Sequence, residues 1–182
     1  MRASGRVLIG ICMFSFGVPA AVAAAQQQTG AQNPIIAAAR QIAERQAKNL
    51  VGAAENMPPE KYSYKPTPAQ QTFGHWVAHS AESNFNFCSH LSGAAAPEIK
   101  PADTDPKEKL VTALKSSFDF CSASLAKLND SDLGQQAELF GGRKGSKAML
   151  LLILTNGWSD HYANMANYLR LNGLLPPTAQ QK

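Results

Sequence analysis

Apolar residues recur at steps of three and four positions along four stretches of the chain, the spacing that places side chains on one face of an α-helix. The first two stretches run over residues 33–55 and from about residue 68 to residue 91, and Pro34 suits the first turn of the first helix. The apolar stripe of the third spans residues 110–128, and the fourth stretch lies within residues 146–173. The pattern predicts four long amphipathic helices.

The segments between these helices carry residues that end one helix or start the next. Prolines crowd residues 57–68 and cannot continue a helix, and small residues with further prolines occupy residues 93–106. Asp105 is the predicted N-cap of the third helix and Ser146 that of the fourth, because both side chains accept hydrogen bonds from free amide groups. No segment alternates polar and apolar residues as a strand does. The predicted fold class is therefore all-α, a single four-helix bundle.

A different pattern occupies the N-terminus. Two arginines precede an almost uncharged apolar run over residues 7–23, and Ala23 and Ala25 form an A-x-A cleavage site. This arrangement is typical of a secretory signal peptide. We therefore predict a signal peptide over residues 1–25 and an exported domain over residues 26–182, located in the periplasm or secreted. The alternative is an uncleaved membrane anchor, since the run is close to the shortest length that spans a bilayer.

The predicted cleavage reduces the positive charge of the chain. Lys and Arg number 17 against 13 Asp and Glu, a formal net charge of +4, and the signal segment contributes two arginines and no acid. The basic cluster Arg143, Lys144 and Lys147 lies in a Gly-rich connection and lacks the Ser or Thr that follows the lysine of a phosphate loop. We expect no nucleic-acid partner, and no membrane attachment after cleavage. An unknown small molecule and a second copy of the chain, in a homodimer, remain candidate partners.

Two cysteines remain after cleavage removes Cys12. Cys88 lies in the second predicted helix and Cys121 in the third, in a compartment where disulfides persist. Both belong to the core-facing stripes of helices that are adjacent in the chain, which favours a bridge between them. The alternative is two buried thiols that do not meet.

Histidines concentrate on the second predicted helix. At about 100° per residue, His75, His79 and His90 share a face beside the apolar stripe, while His161 lies on the fourth helix. Imidazoles on facing helices can hold a metal ion in the wall of a bundle, with a carboxylate or water completing the shell. The alternative is that these histidines belong to solvated polar faces.

Other candidate chemistry is weak. The chain contains neither the G-x-S-x-G motif of a nucleophilic serine nor the CxxC motif of a disulfide oxidoreductase. Tyr62, Tyr64 and Trp158 could line a ligand pocket, although aromatic residues at helical spacing more often belong to a core. Asp160 and His161 are neighbours on one helix and diverge by about 100°, so they form no catalytic relay by themselves.

Two strings of residues point to a known family. The second helix contains FGHWVAH at residues 73–79, followed by NFC at 86–88, and the fourth contains HYAN at 161–164 and YLRLNG at 168–173. Over nearly the whole predicted mature chain, the sequence resembles the DinB-like (damage-inducible B) superfamily of metal-binding four-helix bundles. Paired cysteines also occur in relatives of this family.

The resemblance implies a divalent-metal site. The family typically uses one histidine of the second helix and two histidines four residues apart on the fourth. His79 and His161 match two of these positions, but the position four before His161 is Gly157, which offers no ligand. Three nearby residues could supply a replacement donor: His75, Asp160 and Glu82. The expected cofactor is a weakly held divalent metal, zinc or nickel, with His79 and His161 as its ligands.

The implied activity is open. Relatives include thiol transferases and a maleylpyruvate isomerase, in which the metal holds a thiol as its reactive thiolate. We predict an exported DinB-like domain of undefined activity, either a weakly metal-binding or a non-catalytic ligand-binding bundle. The alternative is a metal-dependent thiol transferase or hydrolase that uses His79 and His161, and a purely structural exported domain is the third hypothesis. No residue is assigned a catalytic role.

Overall fold

In the computed structural model, which describes residues 33–180, four long helices and one short helix make up most of the fold. Their bounds are α1 (Pro34–Asn56), α2 (Phe73–Ser92), α3 (Lys107–Leu125), α4 (Lys147–Leu171) and α5 (Pro177–Gln180). The predicted all-α bundle is confirmed. The predicted signal peptide, with Cys12, lies outside the described residues. Within residues 33–180, no helix has the length and apolar character that a membrane span requires.

Helices α1 and α3 run in opposite directions. At one end of the bundle, Lys107 at the start of α3 donates hydrogen bonds to the carbonyls of Glu55 and Met57 at the end of α1, at 2.7 and 2.9 Å. At the other end, the Asp130 carboxylate, which follows α3, accepts the amide of Ile36 at 2.9 Å. The first turn of α1 is thus capped by a side chain from a distant part of the chain.

Helix α2 is parallel to α3 and antiparallel to α4. Ser92 at the end of α2 lies 3.2 Å from Ser124 at the end of α3, hydroxyl to hydroxyl, so the segment over residues 93–106 must run back along the bundle. Between α2 and α4, Asn84 pairs with Trp158 and Ser80 with the later His161. Helices α1 and α4 therefore run one way and α2 and α3 the other.

The predicted apolar stripes meet in one core. Leu50, Leu114 and Trp158, from three of the helices, are fully buried there. Cys88 and Cys121 are buried in the same core and form a disulfide between α2 and α3, with their Cα atoms 5.2 Å apart. The predicted bridge is confirmed, and it links two parallel helices at similar height.

Two predictions about helix starts are wrong. Helix α2 begins at Phe73, about five residues later than predicted, because Thr72 caps it by accepting a hydrogen bond from the amide of His75. Asp105 does not cap α3, whose N-cap is Pro106. The carboxylate of Asp105 instead accepts hydrogen bonds from the amide of Ala102 at 2.8 Å and from the ammonium of Lys109 at 2.9 Å. The predicted cap at Ser146 is confirmed by its bond from the amide of Met149.

A small hairpin precedes α4, where the sequence predicted no strand. Strands β1 (Gln136–Glu138) and β2 (Lys144–Ser146) pair antiparallel, with Ala137 opposite Gly145. Each has three residues, too few for an alternating pattern to stand out. Two glycines with positive φ, Gly141 and Gly142, occupy the turn. The basic cluster belongs to this region, with Arg143 and Lys144 exposed.

Candidate functional site

The two histidines predicted as metal ligands lie together across the α2–α4 interface. The ring centroids of His79 and His161 are 4.9 Å apart, with the ring planes at 60°. The antiparallel packing of the two helices brings them to the same height, although 82 positions separate them in the chain. His161 is only 8% exposed, whereas His79 faces solvent. The pair thus has one buried and one accessible imidazole.

The environment of His161 keeps its ring neutral. Nδ1 of His161 lies 3.2 Å from the hydroxyl of Ser80, which is fully buried on α2. Burial, and to a smaller extent the neighbouring His79, lower the pKa of His161 to about 4, against an opposite effect of Asp160. A neutral imidazole retains the nitrogen lone pair that metal binding or hydrogen-bond acceptance requires.

His75 extends the pair to a cluster of three rings. Its ring stacks on that of His79, one turn later on α2, with centroids 5.5 Å apart and planes within 5°. Nδ1 of His75 contacts the carboxylate of Asp103 at 2.9 Å. Desolvation and then the nearby His75 lower the pKa of His79. We call His75, His79 and His161 the histidine cluster.

His90 does not belong to this cluster. It lies three turns further along α2, where its Nδ1 hydrogen-bonds the carbonyl oxygen of Glu138 in the hairpin at 3.1 Å. A groove of about 310 Å³ runs between α2 and the hairpin, with His79 and His90 among its lining residues. The shared helical face predicted from the sequence thus leads from the cluster towards the hairpin.

Gly157 occupies the position where the family resemblance implied a third histidine ligand, and it lies beside His161. A Cβ atom added at Gly157 would lie 3.9 Å from Cε1 of His161 and, apart from the backbone of its own helix, would meet no other described atom within 4 Å. The position has room for a side chain and supplies no donor. Within residues 33–180, no three His, Cys, Asp or Glu side chains are grouped so as to hold a metal ion. The residues present therefore fit a partial metal site of two imidazoles and do not fit a complete one.

The aromatic residues divide between core and site. Trp158 is buried and donates to Asn84 at 2.6 Å, Tyr62 is buried and donates to the carbonyl of Ala54 at 2.7 Å, and Tyr64 packs partly buried against the core. These three aromatics are structural. Trp76 instead packs its ring against His161, with centroids 5.8 Å apart. Its indole nitrogen is buried and has no hydrogen-bond partner among the described residues.

Sequence reasoning missed the residues that surround the histidines. Asp103 lies in the segment between α2 and α3, where no periodicity indicates which side chain it meets, and Trp76 reads as an ordinary aromatic residue in a helix. Ser80 lies on the buried side of α2, but nothing in the sequence pattern shows that it contacts His161. A polar residue on an otherwise apolar stripe was the available signal.

The comparisons with known proteins agree on the fold. The solved structure of a DinB-like protein from Bacillus cereus matches 72% of this chain and 89% of its own, with 18% sequence identity and a TM-score of 0.61. A DinB-like protein from Bacillus subtilis matches over 78% of this chain and 99% of its own, at 24% identity and again a TM-score of 0.61. No curated protein matches the chain. The sequence model of the DinB superfamily matches residues 42–157, well over half of the chain, and the protein therefore belongs to the DinB superfamily.

Proposed function

We propose that this protein is an exported DinB-superfamily domain that binds a divalent metal, zinc or nickel, weakly at His79 and His161, and that it serves as a ligand-binding bundle. The observation that carries the proposal is the 4.9 Å approach of these two rings beside Gly157, which leaves the third protein position without a donor. Two imidazoles are suitable donors for zinc or nickel. With only two of them, the remaining positions fall to water or to a ligand.

The surroundings of the site support ligand binding. A buried indole N–H without a partner costs free energy, and an acceptor atom placed beside Trp76 would recover it. The groove between α2 and the hairpin reaches the accessible ring of His79. Of these two features only His79 lines the groove, so a small molecule bound there would reach the buried Trp76 N–H only after neighbouring side chains moved.

Export is supported by two independent features. The first 25 residues have the charged start, apolar run and A-x-A site of a signal peptide. The disulfide between Cys88 and Cys121 suits an oxidising compartment. We expect N-terminal sequencing of the mature protein to begin near Gln26. A soluble cytoplasmic protein that retains Met1 would contradict this part of the proposal.

The alternative is a metal-dependent thiol transferase or hydrolase. It requires a more firmly held metal and hence a third donor. The stacking of His75 on His79 makes it the nearest imidazole to the pair. The same metal-binding experiment separates the two functions.

The experiment measures zinc and nickel binding calorimetrically, using purified protein stripped of metal. We expect binding to the wild-type protein that dialysis reverses, and its loss in His161→Ala. Gly157→His should tighten binding by at least about tenfold, the change that even an outer partner of a metal ligand produces. Asn156→His is the matched control, because residue 156 is exposed on the same turn of α4. It should leave the affinity unchanged.

Two results would contradict the proposal in different ways. If neither the wild-type protein nor Gly157→His binds metal, His79 and His161 are not ligands. If stoichiometric metal survives dialysis of the wild-type protein and is lost in His161→Ala, the site is complete and the enzymatic alternative gains support. His75→Ala would then show whether His75 is the third donor.

A further inference from the structure

The hydroxyl of Ser80 lies between a backbone carbonyl and His161. Its Oγ is 2.6 Å from the carbonyl oxygen of Trp76, one turn earlier on α2, and 3.2 Å from Nδ1 of His161. Two oxygen atoms at 2.6 Å require a proton between them, because their lone pairs would otherwise repel. The single hydroxyl proton of Ser80 therefore points to the carbonyl of Trp76.

The direction of this proton determines the protonation of His161. With its own proton committed to Trp76, Ser80 can only accept a hydrogen bond from the imidazole. Nδ1 of His161 must then carry the ring proton, and Nε2 keeps a lone pair. A neutral imidazole has one ring proton, so the contact with Ser80 at 3.2 Å specifies which of the two nitrogens carries it.

We propose that Ser80 is a positioning residue, which holds His161 in the Nδ1–H tautomer and so presents the lone pair of Nε2 to the site between α2 and α4. Metal-ligating histidines usually donate the N–H of their other ring nitrogen to a carboxylate, a carbonyl or water. In this protein the acceptor is the hydroxyl of Ser80. The inference rests on the proposed function only for what Nε2 binds. The tautomer itself is a property of the metal-free protein.

The three histidines of α2 differ from one another in what their rings contact. His75 contacts a carboxylate through Nδ1, and His90 contacts a backbone carbonyl through Nδ1. His79 has no hydrogen bond to any residue that the structure describes, and its ring faces solvent. Of the two proposed ligands, His161 is therefore the oriented one and His79 is free to adjust.

The test is long-range ¹H–¹⁵N NMR on labelled, metal-free protein at neutral pH. We expect Nδ1 of His161 to be protonated and Nε2 to be bare in the wild-type protein. In Ser80→Ala, the signals should move towards a mixture of both tautomers. Ser92→Ala is the matched control: it removes the same type of bond, from Ser92 to the carbonyl of Cys88 at 2.8 Å on the same helix, and should leave His161 unchanged.

Zinc affinity provides the second measurement. We expect Ser80→Ala to weaken binding about tenfold, the loss typical of an outer partner of a metal ligand, and Ser92→Ala to leave it unchanged. A wild-type His161 protonated at Nε2, or an unchanged tautomer in Ser80→Ala, would overturn the inference. An altered tautomer with unaltered zinc affinity would overturn the link to the site. If the wild-type protein binds no zinc but has the expected tautomer, the proposed metal site fails and the role of Ser80 in fixing the ring stands.

Discussion

Buried polar groups occur in two regions along α2, and the two regions differ in how many of these groups are hydrogen-bonded. In the centre of the bundle, Asn84 donates to Ser117 on α3 at 3.0 Å and accepts from Trp158 on α4 at 2.6 Å, close to the buried disulfide. We call these three residues the core polar network. In the histidine cluster, only some of the nitrogens are engaged, and the neighbouring Trp76 N–H has no partner among the described residues.

The difference separates stability from function. Buried polar groups that satisfy one another join helices and leave nothing for a ligand. Those that keep a lone pair or an unmatched N–H reduce stability and remain available for binding. Helix α2 therefore combines an interface that holds the bundle together with one that can bind. Four predictions test this contrast, from the largest expected effect to the smallest.

Removing the disulfide should have the largest effect on stability. For cysteines 33 positions apart, the chain-entropy model gives a loss of about 3 to 4 kcal/mol in the free energy of unfolding. Urea denaturation of Cys88→Ala/Cys121→Ala, compared with the oxidised wild-type protein, measures it. Metal affinity should not change in the folded variant. A loss of stability below about 1 kcal/mol would show that the bridge does not constrain the unfolded chain as this model requires.

Breaking the core polar network should cost more than breaking the histidine cluster. Asn84→Ala leaves the buried N–H of Trp158 without its acceptor, and we expect a loss of about 2 to 3 kcal/mol in the free energy of unfolding. His79→Ala is the control from the cluster. Its ring is exposed and makes no hydrogen bond to the described residues, so the melting temperature should scarcely change. Equal losses in the two variants would remove the distinction between the regions.

Acid should weaken the metal-free protein through His161. The pKa of this residue is about 4 in the folded state and near the usual 6.5 when unfolded, so the unfolded state binds more protons between these values. The contribution of the neutral ring is complete above about pH 6.5 and is lost as the pH falls towards 4. We expect a loss of up to about 3 kcal/mol by pH 4, because one unit of pKa difference corresponds to about 1.4 kcal/mol. His79, His75 and Asp160 are the charged or titrating groups that act on this ring.

Urea denaturation across this pH range measures the effect. His161→Gln is the control, because glutamine does not titrate. The free energy of unfolding of this variant should change less with pH than that of the wild-type protein, and the difference is the contribution of His161. Identical slopes in the two proteins would mean that His161 is not held neutral by the fold.

Two glycines of the bundle should respond oppositely to alanine. A Cβ at Gly74 would approach the backbone oxygen of Asp103 to 2.5 Å, whereas the nearest described side-chain atom to a Cβ at Gly157 is a ring carbon of His161 at 3.9 Å. Gly74→Ala should lower the free energy of unfolding by about 1 to 2 kcal/mol through overpacking. Gly157→Ala should raise it by up to about 1 kcal/mol, since alanine favours helix. Thermal denaturation of both variants checks the signs, and a destabilised Gly157→Ala would show that the space beside His161 is closed.

The sequence predicted the secondary structure correctly where the periodic pattern of apolar residues extended over many turns. The stripes of α1 and α4 predicted both helices to within about two residues, because many turns of periodic sequence average out single exceptions. The start of α2 and the hairpin were missed, since each depends on a few residues. Asp105 shows the same limit, because its carboxylate had several amides within reach and the fold selected that of Ala102.

The site was predictable only in part. The resemblance named His79 and His161 and drew attention to Gly157, and the structure brings all three together. Ser80, Trp76 and Asp103 could not be assigned to the same place, because each meets the histidines through the packing of a different segment. Metal binding at the pair remains a prediction.

By itself, the sequence determined that four helices bury one stripe each, that two cysteines lie on such stripes, and that the chain is a DinB-superfamily bundle. Only the tertiary structure decided that α2 and α3 run parallel, that Asp103 reaches His75, and that Ser80 contacts His161. The physical reason is that periodicity sets which side of each helix is buried, a local property. Direction, relative height and the partner of each polar atom arise from contacts between segments that are distant in the chain.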